Sequence, residues 1–146
     1  MKHKILVIHG PNLNMLGKRE PEKYGTSTLD EINTRLIDHG SQTGLAVQTF
    51  QSNHEGDIVE KIQQARNVFN GLIINPAAYT HTSIAIRDAV LLLDIPVVEI
   101  HLSNIYKRES FRHKSMLCDV VTGQIAGFGM YGYIMALDAI VNIIQL

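Results

Sequence analysis

Four short apolar runs in this chain each lead to side chains able to bind a ligand or move a proton. Residues 4–8 lead to Asn12 and Asn14, residues 45–50 to Asn53 and His54, residues 72–74 to Asn75 and His81, and residues 97–100 to His101 and Ser103. Compact apolar runs of this length read as buried strands of a parallel sheet. Such a sheet takes its ligands beyond the carboxyl ends of its strands, so the recurrence predicts a polar pocket along one edge.

Helical patterns separate the runs. Thr28-Leu29-Asp30-Glu31 fits a capping box, and Leu29, Ile32 and Leu36 follow at helical spacing until Gly40. Ile58, Ile62, Ala65 and Phe69 form a second stripe, with Asn70-Gly71 as its stop. Thr82 or Ser83 can cap a third helix whose core face is Ile86, Ala89, Val90 and Leu93, and Asp94-Ile95-Pro96 closes it. A last strand near 120–126 and a helix from about 130 to 144 complete five βα repeats. Residues 12–27 carry Gly17, Pro21 and Gly25 without helical periodicity and read as a long loop of the kind that forms lids. The expectation is an α/β, flavodoxin-like three-layer sandwich with a five-stranded parallel sheet, forming a single catalytic domain over residues 1–146.

Thirteen Lys plus Arg against fourteen Asp plus Glu give a net charge of -1. This balance argues against broad attraction to nucleic acid or membranes. No apolar run approaches the roughly 20 residues that span a bilayer, and residues 5–8 are too few for a signal peptide, which reads as a cytoplasmic protein. Charge is nevertheless clustered, at Lys18, Arg19 and Lys23 and again at Lys107, Arg108, Arg112, His113 and Lys114. These clusters are either solvated loops or cationic patches beside a pocket for a small anion. Cys118 is the single cysteine, so no internal disulfide or CxxC motif exists. His9, His54, His81 and His101 lack compact ligand spacing, and no metal is expected. Residues 127–132 match GxGxxG, but no further strand with an acidic residue follows, so these glycines suit a tight turn better than a dinucleotide.

Glu99 and His101 lie two apart on a strand and share a face, where a carboxylate can fix the tautomer of an imidazole and suit it to acid–base work. A hydrogen-bonded pair without chemistry has the same spacing. Arg19 and Tyr24 lie five apart in the presumed lid. Tyrosine ordinarily titrates near pH 10, and a nearby cation favours its phenolate.

Taken together, these motifs resemble the type II 3-dehydroquinate dehydratases. The resemblance runs through residues 10–17, Arg19 and Tyr24-Gly25, then residues 51–56, residues 75–83 and Arg87-Asp88. Residues 99–104, residues 111–113 and the terminal glycine cluster complete it. It implies cofactor-free conversion of 3-dehydroquinate to 3-dehydroshikimate in the shikimate pathway. By the same resemblance Tyr24, held as phenolate by Arg19, removes a proton beside the ketone, Asn12 stabilises the enolate, and His101, oriented by Glu99, protonates the departing hydroxyl. Asn75, His81, Arg112, Leu102 and Ser103 would hold the anionic substrate. Asp88 would reach a neighbouring subunit's site in a homo-oligomer, a dodecamer built from trimers. Ala77 stands where many members have glycine and Tyr106 where histidine is common. An imine-forming dehydratase would need an activated lysine, and none of the seven lysines lies in an apolar stripe. A flavin- or phosphate-binding module and a non-catalytic assembly protein are the other readings of the fold.

Overall fold

A strand buried on both faces must be apolar at successive positions rather than at alternate ones, and the first apolar run meets that condition in the computed structural model, which describes residues 2–18 and 20–144. Ile5, Leu6, Val7 and Ile8 of β1 (His3–His9) are all fully buried. Its parallel partners are β2 (Leu45–Gln51) on one side and β3 (Gly71–Asn75) on the other. The sheet continues through β4 (Val97–His101) to β5 (Gly123–Ala126), in the order β2-β1-β3-β4-β5 with every pair parallel. This is the flavodoxin-like order expected of the repeats.

The helices are α1 (Pro21–Tyr24), α2 (Leu29–Gln42), α3 (Glu55–Ala65), α4 (Ile84–Val90) and α5 (Tyr131–Ile144). Ile5, Val7, Ile73, Val98 and Ile100 face α2 and α5, where they pack with Ile32, Leu36, Leu137 and Ile140. Leu6, Ile8, Leu72, Ile74 and Val97 face α3 and α4, packing with Ile58, Ile62, Ile86 and Ala89. Both predicted caps form: Thr28 Oγ1 accepts from the Glu31 N–H at 3.2 Å, and Ser83 Oγ from the Ile86 N–H at 2.9 Å.

Several boundaries differ from the sequence reading. Gly40 lies inside α2 rather than ending it, because a Cβ there would meet Val47 at 2.4 Å and glycine lets the helix sit close on β2. The second stripe stops being helical at Ala65, five residues before Asn70, and Asn67 takes a left-handed backbone with φ 64°. β5 begins at Gly123, since Val120 and Val121 turn back to the Leu117 carbonyl at 2.9 and 3.1 Å. The loop over residues 12–27 contains a 3-10 turn, Leu13–Met15, and the single turn of α1, started by Pro21 in the first helical position. Among the described residues no helix is long and apolar enough to cross a membrane.

Candidate active site

The strands deliver their terminal residues to a cavity of about 150 Å³ at the carboxyl edge of the sheet. Asn12, Tyr24, Asn75, His81, His101, Leu102, Ser103 and Arg112 all line it. Arg19 lies outside the described residues. Asp88 sits on α4 and is not part of this wall. The exit of β2 also stays away: Asn53 braces neighbouring loops, its Oδ1 accepting from the Asn12 N–H at 2.9 Å and its carbonyl from Tyr79 Oη at 2.8 Å. Asn12 itself adopts a left-handed backbone, φ 69° and ψ -5°, a conformation asparagine tolerates better than most residues.

Alternation along β4 sends Val98 and Ile100 towards α2 and α5, and Glu99 and His101 towards the opposite face. Glu99 is completely buried behind His101, whose Nε2–H donates to its Oε2 at 2.6 Å. Thr80 Oγ1 donates to the same oxygen, and Ser115 Oγ lies 3.0 Å from both carboxylate oxygens. Burial pushes the Glu99 carboxyl up, but the contacts with His101, Thr80 and Ser115 outweigh it and hold the group below the usual carboxylate range. An ionised Glu99 fixes the proton on His101 Nε2. The Nδ1 of His101 is then the ring nitrogen left for proton exchange.

A second polar network occupies the other face of the sheet. His9 Nδ1 lies 2.9 Å from Tyr133 Oη and His9 Nε2 lies 2.8 Å from Asn33 Oδ1. Asn75 Nδ2–H donates to Tyr133 Oη at 3.1 Å, and Asn75 Oδ1 accepts from the Ala77 N–H at 3.1 Å. Ala77 has φ 52°, so the turn uses the backbone freedom that glycine would offer without strain. Burial pushes His9 down from 6.5 to about 4, against the opposing hydrogen bond from Asn33. Unfolding exposes this imidazole, so the unfolded chain binds its proton near pH 6.5 while the folded protein refuses it until about pH 4. Stability from this source is complete above pH 6.5 and is lost as pH falls towards 4, on the order of 3 kcal/mol at 1.36 kcal/mol per pH unit. Urea unfolding of His9→Gln should show a correspondingly weaker loss between neutral and mildly acidic pH than the parent protein. Equal losses would place the acid sensitivity elsewhere.

The remaining wall is cationic. Arg112 is held through Nε by Glu109 at 3.0 Å, which leaves its two terminal nitrogens for a ligand. Arg108 lies over the Tyr24 ring, 5.3 Å from its centroid, and its Nη1 donates to Ser103 Oγ at 3.3 Å. Its buried Nε has no hydrogen-bond partner among the described residues. His81 stacks towards His101, ring centroids 6.5 Å apart, and its Nδ1–H donates to the Lys114 carbonyl at 2.8 Å. Desolvation lowers the His81 pKa despite that bond, so its Nε2 offers a lone pair rather than a charge. The cavity thus pairs two guanidinium groups with neutral hydrogen-bonding groups, an arrangement suited to a small polyhydroxylated carboxylate. Among the described residues no group of three or more His, Cys, Asp or Glu side chains could hold a metal ion.

A family profile described as dehydroquinase class II matches residues 3–141. The chain belongs to the class II dehydroquinase family. A 3-dehydroquinate dehydratase from Ruegeria pomeroyi is 57% identical over 136 residues, spanning 93% of this chain and 91% of that one. One from Geotalea daltonii is 56% identical over 142 residues, spanning 97% and 99% respectively. The crystal structure of type II dehydroquinase from Propionibacterium acnes superposes with a TM-score of 0.94 at 46% identity, covering 97% of this chain and 98% of that one. The sequence reading left Arg108, Thr80 and Ser115 without a stated part. Arg108 was visible only as a member of the basic cluster, and nothing local to Thr80 or Ser115 marks them as partners of Glu99.

Proposed function

We propose that the protein is a cofactor-free 3-dehydroquinate dehydratase, forming 3-dehydroshikimate and water by anti elimination through an enolate. The observation that carries this reading is the presence of Tyr24 and the Glu99-backed His101 on one small cavity with a cationic wall. Tyr24 as phenolate takes a proton from the carbon beside the ketone, and the electron pair passes to the carbonyl oxygen as an enolate, which Asn12 stabilises. The pair then returns to form the conjugated alkene as the β-hydroxyl leaves, taking a proton from His101 to depart as water. By the family resemblance Arg19 is the cation that holds the phenolate, and Arg108 packs over the Tyr24 ring. Arg112 binds the carboxylate, and Asn75, His81, Leu102 and Ser103 hold the hydroxyl groups.

Purified protein mixed with 3-dehydroquinate should produce the enone absorbance of the product. Chelator should leave turnover intact, and borohydride with substrate should leave the protein mass unchanged. Absence of the absorbance change, or a lysine adduct, would overturn the reading. Loss of a charge-assisted contact should make Arg112→Ala cost on the order of 2–5 kcal/mol in kcat/KM, whereas Lys114→Ala should cost little. Comparable losses would remove Arg112 as the carboxylate ligand.

Asp88 is assigned to the site of a neighbouring copy. Ile84, Leu91 and Leu92 on and just beyond the same helix are 59%, 57% and 47% exposed, an apolar flank suited to subunit contact. From the family resemblance we further assign the protein to a homo-oligomer, a dodecamer built from trimers, that serves the shikimate pathway in the cytoplasm.

A further inference from the structure

Asn75 reaches the cavity with its amide already committed from behind, and the direction of that commitment follows from one backbone group. The Ala77 N–H can only donate, so the Asn75 atom 3.1 Å from it is the amide oxygen. The amide nitrogen therefore faces Tyr133 Oη and donates to it. With its oxygen accepting from Asn75, Tyr133 has its single O–H to place, and the near partner is His9 Nδ1. That nitrogen must then be unprotonated, which puts the proton of the neutral ring on Nε2, and Asn33 must present an oxygen to receive it, as it does. Every donor in the chain from Ala77 to Asn33 meets an acceptor only when all bonds point the same way.

We infer that Tyr133 and His9 are positioning residues for substrate selection, because their one-way hydrogen-bond chain locks the Asn75 amide and commits its remaining N–H to the cavity as a donor. A ligand oxygen is accepted there, and a ligand group that can only donate meets a mismatch. His9 and Tyr133 are fully buried, so neither touches substrate, and the lock is built from β1, α2, α5 and β3 together. Neutral His9, with its pKa pushed down to about 4, keeps the direction unchanged across the neutral range. Reversing the chain would require moving the Ala77 N–H, which a left-handed turn holds in place.

The inference deepens the proposed dehydratase reading and rests on it for the identity of the ligand, but its first test needs no substrate. Nitrogen-15 NMR of His9 in the whole protein at neutral pH should show a protonated Nε2 and a bare Nδ1. The opposite tautomer, or an imidazolium, would overturn the lock whether or not the enzyme turns over 3-dehydroquinate. The second test is a double-mutant cycle on kcat/KM for that substrate. Tyr133→Phe keeps the ring in the core and removes the oxygen, so it should lower kcat/KM about tenfold in the parent, mainly through KM. In the Asn75→Ala background the same change should alter it less than twofold. Equal effects in both backgrounds would show that Tyr133 acts through general packing instead. Should Tyr133→Phe fail to fold, the tautomer alone decides.

Discussion

Tyr24→Phe should lower kcat by about 10²–10⁴-fold while substrate still binds, because the change removes the proposed base and keeps the ring that lines the cavity. Near-normal turnover would move the base role elsewhere, with His101 the first candidate. The neighbouring cations supply a finer test of the same step. Arg108 lies against the Tyr24 face at 5.3 Å, so Arg108→Ala withdraws a cation packed on the proposed base. The maximal rate should then fall. An unchanged rate would leave Tyr24 as the base and remove Arg108 from its support.

His101→Ala should cost a comparable 10²–10⁴-fold in kcat, since the departing hydroxyl loses its proposed proton donor. Glu99→Gln separates orientation from acidity. It keeps the shape of the side chain but exchanges a carboxylate that accepts from His101, Thr80 and Ser115 for an amide with one accepting oxygen. A buried donor left unmatched costs about 1–3 kcal/mol, so the variant should lose stability together with at least tenfold in kcat. The depressed Glu99 carboxyl also makes the stability of the fold acid-sensitive. A carboxyl held below its ordinary range stabilises the fold above that range, and the contribution disappears as pH falls through the depressed value. Retention of full activity by Glu99→Gln would reduce Glu99 to a core filler.

Much of this was legible in the chain because burial leaves a direct mark on composition. A central parallel strand is apolar at successive positions, and β1 and β3 are buried along most or all of their length. A polar residue after such a run marks the carboxyl edge of the sheet, which is why Asn75 and His101 stood out, although His9 after the run of β1 is buried in a network behind the site. The same logic failed at the exit of β2, because an edge strand lies far from the sheet centre and its Asn53 serves the backbone instead. Helix ends were read too far at Asn70 and too early at Gly40, since glycine and asparagine mark both stops and close approaches. The partners of Glu99 were hidden for another reason. Thr80 and Ser115 lie 19 and 16 residues from it along the chain, separations across which no local periodicity carries information.

Ser115 gives the loop after β4 an unusual mechanical status. Its single oxygen contacts both carboxylate oxygens of Glu99 and also accepts from the Leu117 and Cys118 N–H groups at 3.0 and 3.1 Å. The Met116 N–H, next in the chain, bonds the Thr80 carbonyl at 2.7 Å. The segment bearing Arg108 and Arg112 is therefore moored to the carboxylate that orients His101. On the proposed roles, grip on the substrate's charge and delivery of the proton share one anchor, so the two functions are not free to drift apart. Insertions between Arg112 and Ser115 should register in both at once, and variation in loop length can be absorbed more readily on the far side of the mooring, beyond Cys118.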